Sequence, residues 1–222
     1  MARFTDIVGQ DSAVRMLREA VASGRVHHAL LFSGPRGVGK RVTADALAAR
    51  IFCERPAEDA CGSCDSCVRL AAGTHPDLHV VEPGGDAAES SKRRTQTISI
   101  DQMRALQIAL GRRPFVASRR IAIVDDAESM TIPAQNALLK TLEEPPGNTL
   151  LVLVAENAAA LTATVRSRCQ RVSFRPLSAD AIEAALARRS VTGADARFLA
   201  EHAAGSLGRA MTLDPAKLRE SL

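Results

Sequence analysis

The sequence contains no tryptophan and no tyrosine, and only 6 phenylalanines among its 222 residues. A platform that stacks bases from a single strand needs several aromatic faces, so the composition argues against that mode of nucleic-acid binding. Long apolar runs are missing as well. No stretch approaches the ~18 residues needed to span a membrane, and Met1-Ala2-Arg3-Phe4-Thr5-Asp6 has no apolar signal core. The expectation is a cytoplasmic protein. Charge of one sign is scarcely in excess: 29 Lys and Arg against 25 Asp and Glu leave a net +4. That mild basicity suits nearby phosphates, but a solvated arginine-rich surface explains it equally well. The rest, 46% hydrophobic and 24% charged, is an ordinary globular composition, long enough for a core domain and a small satellite.

The order of elements is legible from apolar spacing. Val14, Leu17 and Val21 recur at helical intervals over 11–23, with Gly24 as a stop. Ala29 to Phe32 is a continuous apolar run and reads as a buried strand, followed by glycines and a helix over 40–52. Further strands are predicted over 78–81, 121–124, 150–154 and 171–174. Helices are predicted over 100–110 and 131–142, the latter with Thr131 as N-cap and Pro133 in its first turn. The polar stretch 84–97, which includes Lys92-Arg93-Arg94, reads as an exposed loop. Non-alternating strands separated by helices indicate an α/β fold: a parallel sheet with helices on both faces. Past Pro176 the pattern is wholly helical, near 179–189 and 194–204, so a core over 1–175 and a small all-helical domain over 176–222 are expected.

Gly34-Pro35-Arg36-Gly37-Val38-Gly39-Lys40 matches the front of the Walker A pattern, in the required context between a strand and a helix. Glycines let backbone N–H groups converge on phosphate oxygens, and Lys40 reaches the outer phosphates. The hydroxyl that should follow the lysine and ligate Mg²⁺ is replaced by Arg41. Thr43 does not substitute, because two residues on is roughly 200° round a helix. Asp125 ends its strand where a Walker B aspartate would hold the metal, and Asp126 stands where a glutamate would polarise water. The aspartate is one methylene short, and a misplacement of ~1 Å can cost about a hundredfold in rate. ATP with Mg²⁺ is therefore expected to meet a degenerate site, with weak or absent turnover.

Four of the 5 cysteines cluster: Cys53, Cys61, Cys64 and Cys67. Four soft ligands at this spacing suit tetrahedral Zn²⁺ with no open position, hence a structural rather than a catalytic ion. Iron–sulfur ligation is the alternative. His75 and His79 read as turn and surface residues, and Cys169 as a small buried residue.

The P-loop, the four-cysteine insertion after its helix (about 53–67), Asn136-Ala137-Leu138-Leu139-Lys140-Thr141-Leu142-Glu143-Glu144-Pro145-Pro146 and Ser167-Arg168-Cys169 together resemble the bacterial DNA polymerase III clamp-loader AAA+ subunits. The resemblance runs from about residue 6 to about 210. It implies an AAA+ core, a helical lid and, in most members, a collar domain that this chain is too short to contain. It further implies that Arg168 is an arginine finger acting in a neighbour's nucleotide site, and that the sensor-one residue is Asn157. The implied partners are gamma/tau and delta subunits and, through the complex, the beta sliding clamp and primed DNA. Arg41, Asp126 and Gly208, the last where a motor carries its sensor arginine, look more like the stator branch, delta-prime, than like the gamma/tau motor. Two competing readings are a working gamma/tau-like ATPase and a zinc-stabilised nucleotide-binding module outside replication. Arg112-Arg113 and Arg119-Arg120, like Lys92 to Arg94, are basic segments with no assigned DNA contact.

Overall fold

A computed structural model describes residues 1–55, 58–84 and 97–220. The first half of the chain runs α1 (Asp11–Ala22), β1 (Ala29–Ser33), α2 (Lys40–Phe52), α3 (Asp65–Ala71), β2 (Leu78–Val81), α4 (Ile100–Leu110) and β3 (Arg120–Val124). It continues α5 (Ile132–Glu143), β4 (Thr149–Ala155), α6 (Ala163–Arg166) and β5 (Gln170–Ser173). Four helices follow: α7 (Ala179–Ala187), α8 (Ala194–His202), α9 (Leu207–Ala210) and α10 (Pro215–Glu220).

Five strands form one sheet in the order β2-β3-β4-β1-β5, and every pairing is parallel. Period-two geometry divides each strand between two apolar clusters. Leu31, Ala122, Val124, Leu151 and Leu153 join Met103 and Leu106 of α4, Leu138 and Leu142 of α5, and Val165 of α6. Leu30, Phe32, Ile121, Ile123, Leu150 and Val152 face the other way, onto Leu17 of α1 and Ala44, Leu47 and Phe52 of α2. Both faces are thus covered, which is why β1, β3 and β4 are buried at every position and read as unbroken apolar runs.

Local signals agree with these elements. Ser99 Oγ accepts the Gln102 N–H while Gln102 Oε1 accepts the Ser99 N–H, a capping box at the start of α4. Thr131 Oγ1 accepts the Ala134 N–H and caps α5, with Pro133 in the first turn as expected. The final helices carry their own apolar cluster, built on Leu177, Ile182, Leu186, Leu199 and Ala210. They stop earlier than periodicity predicts, because Ser190 and Ala204 take left-handed conformations, φ 66° and 50°.

Short helices account for the other differences: α3, of 7 residues, and α6 and α9, of 4 each, are below the length at which periodicity is readable. His75 is not a surface residue: it is 4% exposed, stacked on Phe52 with ring centroids 4.1 Å apart. Cys169 is only partly buried, against the α5–α6 side of the core. The expected loop over 84–97 lies outside the described residues from 85 to 96, and Lys92 to Arg94 with it.

Candidate nucleotide site and cysteine cluster

Strand β1 is flanked by β4 and β5, so the strand order reverses on either side of it. In an open parallel sheet this is where a crevice opens beyond the carboxyl ends of the strands. The segment leaving β1 is built for close approach. A Cβ at Gly34 would lie 2.2 Å from the Phe174 carbonyl oxygen, and one at Gly37 would lie 2.2 Å from Ser206 Oγ. Gly39 is the N-cap of α2. Buried Gln10 holds the turn from below: its Nε2 donates to the carbonyls of Val38 and Arg175 at 3.3 and 2.7 Å.

The result is a cavity of about 330 Å³. Its lining includes Gly37, Gly39, Lys40, Arg41, Asp125 and Asp126 together with apolar Ile7, Val8, Leu177, Leu207 and Met211. Lys40 Nζ donates to the carbonyls of Gly34 and Pro35, both at 2.7 Å. Burial lowers the Lys40 pKa, opposed by Glu128, Glu156, Asp125 and Asp126. Asp126 takes a left-handed conformation, φ 46°, and the Asp125 carboxylate accepts its N–H at 3.1 Å.

Arg41 is the decisive neighbour. Its Nη1 donates to Asp125 Oδ2 at 3.0 Å, its Nε to Asp45 Oδ1 at 3.2 Å, and Glu82 Oε2 lies 3.8 Å from Nη1. Burial works against the Arg41 charge, but Asp45 and Asp125 more than offset it and raise the pKa. A Walker-type Mg²⁺ needs an oxygen on the residue after the lysine and a free strand-end carboxylate. Here the first is a guanidinium and the second is paired to it. Thr43 is fully buried, with its hydroxyl donating to the Gly39 carbonyl at 2.8 Å. The residues present do not fit Mg²⁺.

Asn157 and Arg168 stand outside this cavity's lining. Asn157 Oδ1 accepts the Ala159 N–H at 2.9 Å, capping a short turn after β4. Arg168, at the end of α6, is held by Glu143 Oε1 at 2.5 Å and donates to the Thr164 carbonyl at 2.9 Å. Two motifs far apart in sequence, Glu143-Glu144-Pro145-Pro146 and Ser167-Arg168-Cys169, therefore meet. Exposed Arg209 is not in the lining either, while Gly208 is: its N–H donates to the Gly37 carbonyl at 2.9 Å.

Sequence reasoning passed over Asp45, Glu82 and Glu128. Asp45 had a signal, since it lies four residues after Arg41 on one helix and pairs with it. Glu128 had none: its Oε1 accepts the Glu156 N–H, a contact made by the fold between β3 and β4. The basic pair Arg119-Arg120 turns out to be structural. Arg120 donates to the carbonyls of Ala109 and Arg113 and lies 4.0 Å from buried Asp77, and Arg119 donates to Asn148 Oδ1.

The four cysteine sulfurs lie within 4.8 Å of one another. Metal–sulfur bonds of about 2.3 Å in a tetrahedron require sulfurs roughly 4 Å apart, and Cys61 and Cys67 Sγ are at 4.0 Å. Backbone N–H groups of Ser63 and Cys64 draw the Cys61 thiol down to about 6, whereas burial pushes Cys67 up to about 12. The Cys61 N–H also donates to Cys53 Sγ at 3.3 Å, orienting a ligand as supporting hydrogen bonds do in metal sites. The donor set fits a closed, four-thiolate metal centre. His75 and His79 are not part of it.

Sheet order, P-loop and switch-point cavity define a P-loop protein of the AAA+ fold. The architecture is similar to that of the Thermotoga maritima RuvB Holliday junction branch migration motor, with a TM-score of 0.64 and 16% identity, covering 99% of this chain and 65% of that one. Residues 9–178 match the family described as DNA polymerase III, delta subunit, and the chain belongs to that family. It is 36% identical over 191 residues to DNA polymerase III subunit delta' of Bacillus subtilis, covering 86% of this chain and 55% of that protein. It is also 37% identical over 188 residues to the gamma/tau subunit of Mycobacterium tuberculosis, covering 84% of this chain and 31% of that protein. The chain thus spans about half the length of the delta' relative. Among the described residues no helix is long and apolar enough to cross a membrane.

Proposed function

We propose that the chain is a delta-prime-like stator of a DNA polymerase III clamp loader. In this reading residues 1–175 form the AAA+ core and 176–222 the lid, and Cys53, Cys61, Cys64 and Cys67 hold a structural Zn²⁺. The chain completes a cytoplasmic ring with gamma/tau and delta subunits. That ring places the beta sliding clamp on primed DNA, and this member donates Arg168 to a neighbour's nucleotide. The observation that carries the reading is the Arg41–Asp125 ion pair at 3.0 Å, which takes the two metal-binding positions out of service. A subunit whose own site lacks its metal ligands still has a use for a finger on its outer surface.

Arg168 supports this by position. It lies outside its own chain's cavity and is tethered by Glu143. An arginine supplied in trans stabilises charge developing on the transferred phosphoryl, worth roughly a thousandfold or more in related systems. The test is Arg168→Ala in a reconstituted loader. The variant folds and assembles, and DNA-stimulated ATP hydrolysis by the complex falls at least about tenfold. Unchanged hydrolysis and clamp loading would sink the finger assignment.

A gamma/tau-like motor is the second reading. It is favoured by the intact glycine pattern from Gly34 to Lys40 and by the open 330 Å³ cavity.

A further inference from the structure

The residue after the P-loop lysine is a cation, bonded to the carboxylate that would otherwise hold a metal. We propose that the P-loop cavity takes a nucleoside di- or triphosphate as its metal-free anion, with the Arg41 guanidinium standing where Mg²⁺ stands in a hydrolytic site. This deepens the stator reading and rests on it.

The cavity itself survives the loss of the metal ligands: its volume is about 330 Å³, and Ile7, Val8, Leu177 and Met211 in its lining offer apolar surface to a base. Lys40 and Arg41 open α2, where the helix dipole adds positive potential. The Arg41 fork is held rigid by Asp45 and Asp125 through Nε and Nη1. Its remaining nitrogen, Nη2, makes no hydrogen bond to the described residues, and a planar guanidinium suits phosphate oxygens.

Magnesium is disfavoured twice over. It would approach the Arg41 guanidinium, and Asp125 is already paired to that guanidinium at 3.0 Å. Chelation also occupies phosphate oxygens that Arg41 would otherwise bind. The free nucleotide is therefore the better ligand, and the site holds it without the ion needed for hydrolysis.

The experiment is equilibrium binding of fluorescent ADP and ATP to the full chain, in excess EDTA and in excess Mg²⁺. Binding in EDTA, unchanged or weakened by Mg²⁺, is expected. Arg41→Thr, checked for folding by circular dichroism, restores the hydroxyl. It should weaken metal-free binding roughly tenfold to a hundredfold, the worth of one hydrogen bond between charged groups, and make binding Mg²⁺-dependent. Binding by the natural chain only when Mg²⁺ is present overturns the proposal, as does no binding in either buffer. Neither result touches the stator reading, which turnover by the isolated chain would overturn instead.

Discussion

Gly208→Ala should destabilise the chain even though alanine is the better helix former. Gly208 lies in α9, where its N–H donates to the Gly37 carbonyl at 2.9 Å. A Cβ there would stand 2.9 Å from Gly37 Cα and 3.4 Å from the Gly37 oxygen. Both neighbours are backbone of the phosphate loop, which cannot swing away as a long side chain does. Overpacking of this kind costs about 1–3 kcal/mol, and stretching the hydrogen bond adds up to about 1 kcal/mol. Replacing a helical glycine returns about 0.5–1 kcal/mol. These sum to a loss of about 0–3.5 kcal/mol, centred near 2 kcal/mol, or a fall in Tm of roughly 4–8 °C at that centre for a chain this size. Gly208→Arg, which installs the motor's sensor residue, should lose more. Urea titration and a thermal melt read the effect, and faster amide exchange at Gly208 locates it. An alanine variant as stable as the natural chain, or more so, would mean propensity wins and α9 does not seat on the loop.

Asp77→Asn should cost about 1–3 kcal/mol, because the buried carboxylate accepts the N–H groups of Phe115, Val116 and Ala117 at 2.6, 2.8 and 2.8 Å and an amide cannot serve all three as well. Burial works against ionisation of Asp77, yet N–H groups of Ala117, Phe115 and Val116 and the Arg120 charge hold its carboxyl below the ordinary 3.8. Its contribution is therefore complete above that value and lost as pH falls through the lower folded value. Urea titrations of both proteins should converge below about pH 3.8; a constant gap across that window would refute the assignment. Metal analysis of the purified chain should give one Zn²⁺ per chain, and Cys67→Ser should lose it along with thermal stability. Iron in place of zinc would select the alternative centre.

The fold was readable because a sheet covered on both faces leaves unbroken apolar runs such as Ile121 to Val124, and because Thr131 and Gly24 mark element ends chemically. The phosphate loop and the four cysteines were readable for a different reason: each is contiguous, so spacing alone groups the ligands. What sequence could not show lies between segments. Arg41 was visibly the wrong residue, but its bond to Asp125 joins α2 to the end of β3 across 84 positions. The Glu143–Arg168 pair and the Gly37–Gly208 contact likewise exist only once α5 meets α6 and α9 packs on the loop. His75 was misjudged because a lone histidine in a turn carries no mark of the ring it stacks on.

In the stator reading this chain's own site does not hydrolyse ATP. Steady-state turnover by the isolated chain, measured beside Lys40→Ala, tests it most directly. Rates indistinguishable between the two are predicted, because Arg41 and Asp125 leave no metal site for the lysine to serve. Robust turnover that vanishes in Lys40→Ala would contradict the account and make the chain a motor.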